Sequence, residues 1–140
     1  MSLMSRNKGK AGEREVVKLL QPVVNEVYSA MDLEIPILQR NLMQSDRGGF
    51  DIAGLEWMAL EVKRRETMAL NAWWVQTLKQ ARYDQVPVLL YRGNHEPWRA
   101  CLLGMLPMGY REDWLQARVT VDLPDFLTWF RRRLHYELLS

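Results

Sequence analysis

Cysteine is almost missing from this 140-residue chain: Cys101 stands alone, which excludes an intrachain disulfide and a cysteine-rich zinc site. Histidine is nearly as scarce. His95 and His135 lie far apart without a metal-ligand spacing, and read as a polar loop residue and a helix-face residue. No apolar run is long enough to span a membrane and the N-terminus has no signal-type apolar core, so a cytoplasmic protein is expected. Internal repeats, low-complexity runs and linkers are absent as well. A single domain over 1–140 is therefore expected, with 1–8 as a flexible basic N-terminus. Nor is charge of one sign in excess, at a net +2 with 26% charged residues. That balance does not by itself point to an anionic partner; the distribution says more. Arg6, Lys8, Lys10, Arg14 and Lys18 crowd the N-terminus, and Arg131, Arg132 and Arg133 the C-terminus. Such clusters supply phosphate contacts or form solvated helix faces.

What is present reads as alternating helices and strands. Val16, Val17, Leu20 and Val24 recur at helical spacing and predict a first helix over 9–21. Pro22 should end or kink it, or start a second helical piece with Val23, Val27, Tyr28 and Met31 inward. Glu13 falls on the inward edge of this helix; a first-turn glutamate favoured by the macrodipole is the plainer account of it. Strands are expected over 37–43, 50–55 and 57–63, with loop chemistry over 45–49 and a hairpin connection at 54–56. Asn71 is placed to cap a helix running to about Asp84, with Trp74, Leu78 and Ala81 inward and Gln76, Gln80 and Tyr83 as a second stripe. Residues 86–91 (VPVLLY) read as a strand buried on both faces, paired in a hairpin with 98–103. Over 106–116 no clean period shows, and a loop is expected there. A short strand over 118–123 and a final helix opened by Pro124 complete the chain, the helix with Phe126, Leu127, Phe130, Leu134 and Leu138 as its stripe. The strand-helix-strand unit over 57–91 needs a crossover, so the expected fold is α/β with a mixed sheet.

The stretch over 44–66, QSDRGGFDIAGLEWMALEVKRRE, carries the chemistry. Gly48-Gly49 permits a close backbone approach just before Asp51. Further on, strand alternation sets Ala59, Glu61 and Lys63 on one face and Met58, Leu60 and Val62 on the other. Cleaving a phosphodiester brings an anionic nucleophile to an anionic substrate. A hard cation on oxygen ligands neutralises that charge and acidifies a bound water. Asp51 and Glu61 supply two carboxylates, Glu13 a third and the Val62 carbonyl another oxygen, while Lys63 is placed to orient water or stabilise developing charge. An exposed Glu-Lys pair at i, i+2 is common on strand faces, so the E-x-K element alone decides nothing.

Taken together, Glu13 in KGKAGEREVVKLL, Asp51 in GGFDIAGL and Glu61-Val62-Lys63 in WMALEVKRRE resemble the PD-(D/E)xK nuclease superfamily, and within it the archaeal-type and phage Holliday junction resolvases. The motifs cover about the first two-thirds of the chain, and Phe50 stands where the family name has proline. The resemblance implies a restriction-endonuclease-like core, in the order α-β-β-β-α-β with a C-terminal strand and helix. It implies an endodeoxyribonuclease using Mg²⁺, or Mn²⁺ in its place, in a prokaryotic or phage-infected cell. Asp51, Glu61, Glu13 and Val62 would hold the metal and Lys63 would be the catalytic lysine. Gln76 or Gln80 resembles the glutamine of the following helix in several branches. Arg6, Lys8, Lys10, Arg14, Arg40, Arg47 and Arg64 are candidate DNA contacts. The substrate implied is branched DNA cut by a homodimer, for which Trp73, Trp114 and Trp129 are candidate interface residues. Cleavage of flaps, ends or duplex DNA, and a non-catalytic DNA-binding module, are the rival expectations.

Overall fold

Valines and leucines at helical spacing organise the N-terminal third. The computed structural model of the chain describes residues 3–41, 51–110 and 112–140, and of residues 4–7 the backbone alone. Helix α1 spans Leu3–Ala30 and buries Val16, Leu20, Val23, Val24 and Val27. It starts earlier than the expected position 9, so the basic lead from Leu3 onward is helical. It also passes through Pro22, against the expected break. Proline removes one intrahelical hydrogen bond. Burial of Leu20 before it and of Val23, Val24 and Val27 after it keeps both halves on one line. Gln21 then ties down the following loop: its side-chain amide donates to the Pro36 carbonyl at 3.0 Å and its oxygen accepts from Leu38 N–H at 2.7 Å.

Two short strands, β1 (Gln39–Arg40) and β2 (Ile52–Ala53), pair antiparallel with Arg40 opposite Ile52. The strands expected over 37–43 and 50–55 are shorter than their periodicity suggests within the described residues. The candidate loop residues Arg47, Gly48 and Gly49, with Gln44 and Phe50, lie outside the described residues. Strand β3 (Met58–Arg64) pairs parallel with β4 (Val86–Arg92) through helix α2 (Leu70–Gln80). β4 then pairs antiparallel with β5 (Arg99–Pro107), and β5 with β6 (Trp114–Asp122), giving the order β3-β4-β5-β6. The sheet is mixed, as the crossover requires. Helix α3 (Leu123–Leu139) closes the chain with Pro124 in its first turn.

The alternation along β3 sorts the sheet into two faces. Met58, Leu60 and Val62 join Val88, Leu90, Ala100 and Leu102 under α1 and α3, whose Phe126, Phe130 and Leu134 are fully buried. On the opposite face Trp73 and Trp74 of α2 cover Leu89, Tyr91 and Cys101. α2 departs from expectation in detail. Its N-cap is Ala69, the Asn71 side chain instead accepts from Arg118 at 2.9 Å, and Thr77 takes the inward place expected of Leu78. Cross-sheet contact with Leu89 and Tyr91 chooses the buried stripe, which the helix's own periodicity leaves ambiguous.

The largest departure is over 106–116, expected as loop. Strands β5 and β6 run on as a nine-rung hairpin, from Arg99 opposite Asp122 to Pro107 opposite Trp114. Leu103, Met105, Leu106, Trp114 and Leu115 are all exposed there. Beyond Leu102 neither face of this ribbon meets the core, so no period of two is imposed on its outer half. Two of the candidate interface tryptophans pack within the chain: buried Trp73 lies 6.3 Å from Tyr91, and half-buried Trp129 lies 6.1 Å from Trp57 and 5.7 Å from Phe126. Trp114 alone of the three is exposed. No helix among the described residues is long and apolar enough to cross a membrane.

Candidate active site

The site is assembled along the edge of β3 that faces away from β4. Asp51, immediately before β2, donates its N–H to the Leu60 carbonyl at 2.8 Å, and its own carbonyl accepts from Asn41 N–H at 2.7 Å. One rung further, Val62 N–H donates to the Asp51 side chain, Oδ2, at 2.7 Å. A carboxylate thus takes the place of the next backbone acceptor along β3. A residue's N–H and C=O point to the same side of a strand, so the Val62 carbonyl faces the Asp51 side too. The bend that returns β2 to β3 depends on Gly54, whose φ is +121°. A Cβ at that position would sit 2.8 Å from Leu38 Cδ2.

Glu61 and Lys63 lie on the α2 face of β3, in register with Leu89 and Tyr91. Glu61 is 3% exposed, and Lys63 Nζ stands 3.6 Å from its Oε1. Its carboxyl also hydrogen-bonds the Asp51 side chain. Burial pushes the Glu61 carboxyl up to about 8, the Asp51 carboxylate adds to this, and Lys63 pulls the other way. Two buried acids against one lysine are short of positive charge near neutral pH, and a proton shared between the acids makes up the difference.

Glu13 reaches the neighbourhood from α1. The helix crosses β3 closely at Gly12, where a Cβ would stand 3.1 Å from Arg64 Cβ. Glu13 Oε2 accepts from Arg40 Nε at 2.6 Å, with both side chains largely covered. Arg40 is next in sequence to Asn41, whose N–H holds the Asp51 carbonyl. The structure therefore brings Asp51, Glu61 and Lys63 together and holds Glu13 on an arginine. Among the described residues no three His, Cys, Asp or Glu side chains converge as a metal cage. The donors that do converge are the two carboxylates, with the Val62 carbonyl turned to the same side. They are hard oxygens of the kind magnesium or manganese takes when waters complete the shell. The residues present fit such an ion.

The other candidates divide. Lys8 pairs with Glu66, Arg64 lies 3.6 Å from Glu15, and Lys10 and Arg14 are exposed on α1. Gln76 and Gln80 are half-buried on α2. Arg47 and the Arg6 side chain lie outside the described residues. Trp73, Trp74 and Trp98 are buried in packing contacts. His95 and His135 are exposed, and buried Cys101 faces Thr120 Oγ1 at 3.4 Å.

Sequence reasoning missed Glu15 and Arg92. Arg92, at the end of β4, grips Glu15 of α1 through contacts of 2.8 and 3.3 Å, and its guanidinium sits 5.6 Å from the centre of the Trp98 ring. This clamp holds α1 over the sheet beside the site. An arginine closing a β-strand and a glutamate next to a buried valine carry no signal until the sheet order sets them side by side. Comparison with protein-family models, curated proteins and solved structures finds no match for this chain.

Proposed function

We propose that the chain is a metal-dependent DNA endonuclease of the PD-(D/E)xK type, with a restriction-endonuclease-like core, acting on branched DNA as Holliday junction resolvases do. The observation that carries this reading is the pairing of Asp51 and Glu61 at one strand edge, with Asp51 fixed by Val62 N–H at 2.7 Å and Glu61 facing Lys63 at 3.6 Å. A pure DNA-binding surface gains nothing from two covered carboxylates, which repel phosphate.

In this reading Asp51, Glu61 and the Val62 carbonyl hold magnesium or manganese. When bound, the ion offsets the paired negative charge and lowers the pKa of a coordinated water. The chain's own residues do the rest. Val62 N–H keeps Asp51 oriented, and loss of the proton shared by Asp51 and Glu61 readies both for the cation. Lys63 Nζ, held close to Glu61, lies within reach of an attacking water or of a phosphate oxygen gaining charge. Glu13 is the third acid, and its recruitment frees Arg40 to meet a phosphate. Arg64, Lys8, Lys10 and Arg14 would supply the basic rim for the DNA backbone, Arg6 and Arg47 are further candidate contacts by sequence alone, and Gln76 and Gln80, half-buried on α2, are the candidate glutamines.

The test is cleavage of a four-way junction, a flap and linear duplex with magnesium present. Junction-selective, paired cuts are expected, lost in Asp51→Asn and reduced at least ~100-fold in Lys63→Ala. Equal cleavage by Asp51→Asn would sink the site. Cutting of flaps or ends in preference to the junction would move the substrate to other repair intermediates. Binding without any cleavage would leave a DNA-binding module.

A further inference from the structure

Among the described residues β6 ends the sheet as a regular strand with one neighbour. In an antiparallel ladder every second residue of such a strand turns its N–H and C=O away from its neighbour. Natural edges are usually blunted by lysine, proline or a bulge. β6 has none of these: its sequence is WLQARVTVD, and its nine rungs with β5 run without interruption. It carries just two charges, four residues apart and on one face with Thr120 between them: Asp122, and Arg118, whose guanidinium donates to the neutral Asn71 side chain at 2.9 Å and meets no acid among the described residues. Val119 and Val121 lie on the other face and stay only half-buried, although their partners Leu102 and Ala100 on β5 are buried. Asp122 precedes α3 but makes no capping hydrogen bond, and its carboxylate is 76% exposed despite an Arg99 contact at 3.5 Å.

We propose that the β6 edge pairs antiparallel with the same strand of a second copy, about a two-fold axis through Thr120, joining the two sheets into one. The charge pattern commits the edge to this occupant. In that register Arg118 faces the partner's Asp122, and the symmetry repeats the pair, so both charges of the strand are matched. Thr120 meets its own copy and Val119 meets the partner's Val121, both pairings that favour adjacent strands. Centring the pairing on Arg118 would engage the whole strand but set like charges opposite each other, which disfavours it. The contact is isologous and closes at two copies. It stands on β6 alone and is independent of the nuclease reading.

The experiment measures the mass of the full chain in solution by sedimentation across a dilution series, for the parent, Arg118→Glu and Asp122→Lys. The parent should dimerise. Each variant alone sets like charges against each other twice, and should raise the dissociation constant about tenfold or more. An equimolar mixture of the two should dimerise again. In the mixed pair the introduced glutamate faces the introduced lysine, and the retained Asp122 of one copy faces the retained Arg118 of the other. A monomeric parent, unaffected single variants, or a mixture no tighter than its components would each overturn the proposal. Amide exchange of the unaltered parent gives a second arm that needs no substitution. Amides over 118–122 should exchange more slowly as concentration rises, and rates independent of concentration would overturn the register.

Discussion

Burial of Glu61 and the Asp51 carboxylate beside it both disfavour its anion, which lifts its carboxyl from 4.5 to about 8. For an acid whose pKa is higher in the fold, the folded state holds the extra proton. The resulting stability is fully present below about 4.5 and is lost as pH rises through 8. Glu61→Gln keeps the shape, removes the charge and leaves a donor for Asp51. The variant should therefore melt higher than the parent at pH 8, by about 3 °C or more, and match it near pH 4. It should also lose metal-dependent cleavage. Thermal melts at the two pH values decide it: a parent that outlasts the variant at pH 8 would mean that Glu61 is not strained by its charge. Strand alternation and the E-x-K spacing made Glu61 and Lys63 legible in the sequence, because both sit on one regular strand. The partner of Glu13 was not legible, because Arg40 lies on a strand of two residues whose pairing only the fold sets.

At the scale of elements, α1 governs how the site is held. Its close crossing of β3 at Gly12 leaves little room for a side chain, with Arg64 Cβ at 3.1 Å and Val62 Cγ1 at 3.7 Å from a built Cβ. Gly12→Val should force α1 and β3 apart and cost about 2 kcal/mol or more, read by urea denaturation. An unchanged midpoint would show that the two elements have slack at this crossing. Ten residues on, Pro22 removes a hydrogen bond from an otherwise continuous helix while exposed to solvent. Pro22→Ala restores the donor and should stabilise by about 1–3 kcal/mol. A loss of stability would mean that the chain uses the break. Buried spacing on both sides of position 22 was visible in the sequence, but the weight of a lone proline against five buried aliphatic residues was not. The outer half of the β5–β6 ribbon was illegible for the opposite reason. There the strands are fixed by each other through backbone hydrogen bonds, and a ladder exposed on both faces writes no pattern into its side chains.

At the scale of the whole molecule, two acids on different strands are held together by contacts that run through α1, β1, β2 and β3, so anything that relieves their repulsion stabilises the fold. A divalent cation that binds the folded site and not the unfolded chain raises stability by mass action. To bind between Asp51 and Glu61 it must displace the proton they share, so its apparent affinity rises roughly tenfold per pH unit up to about pH 8. Magnesium should thus raise the melting temperature clearly at pH 8.5 and little at pH 6, and chelation should reverse the effect. In Glu61→Gln the proton to be displaced is gone together with the ligand, and the magnesium shift should vanish at both values. Differential scanning fluorimetry on the two proteins, with and without magnesium, reads all these cases. A shift of equal size at both pH values would place the cation away from the acid pair, and the nuclease reading would then lose its metal.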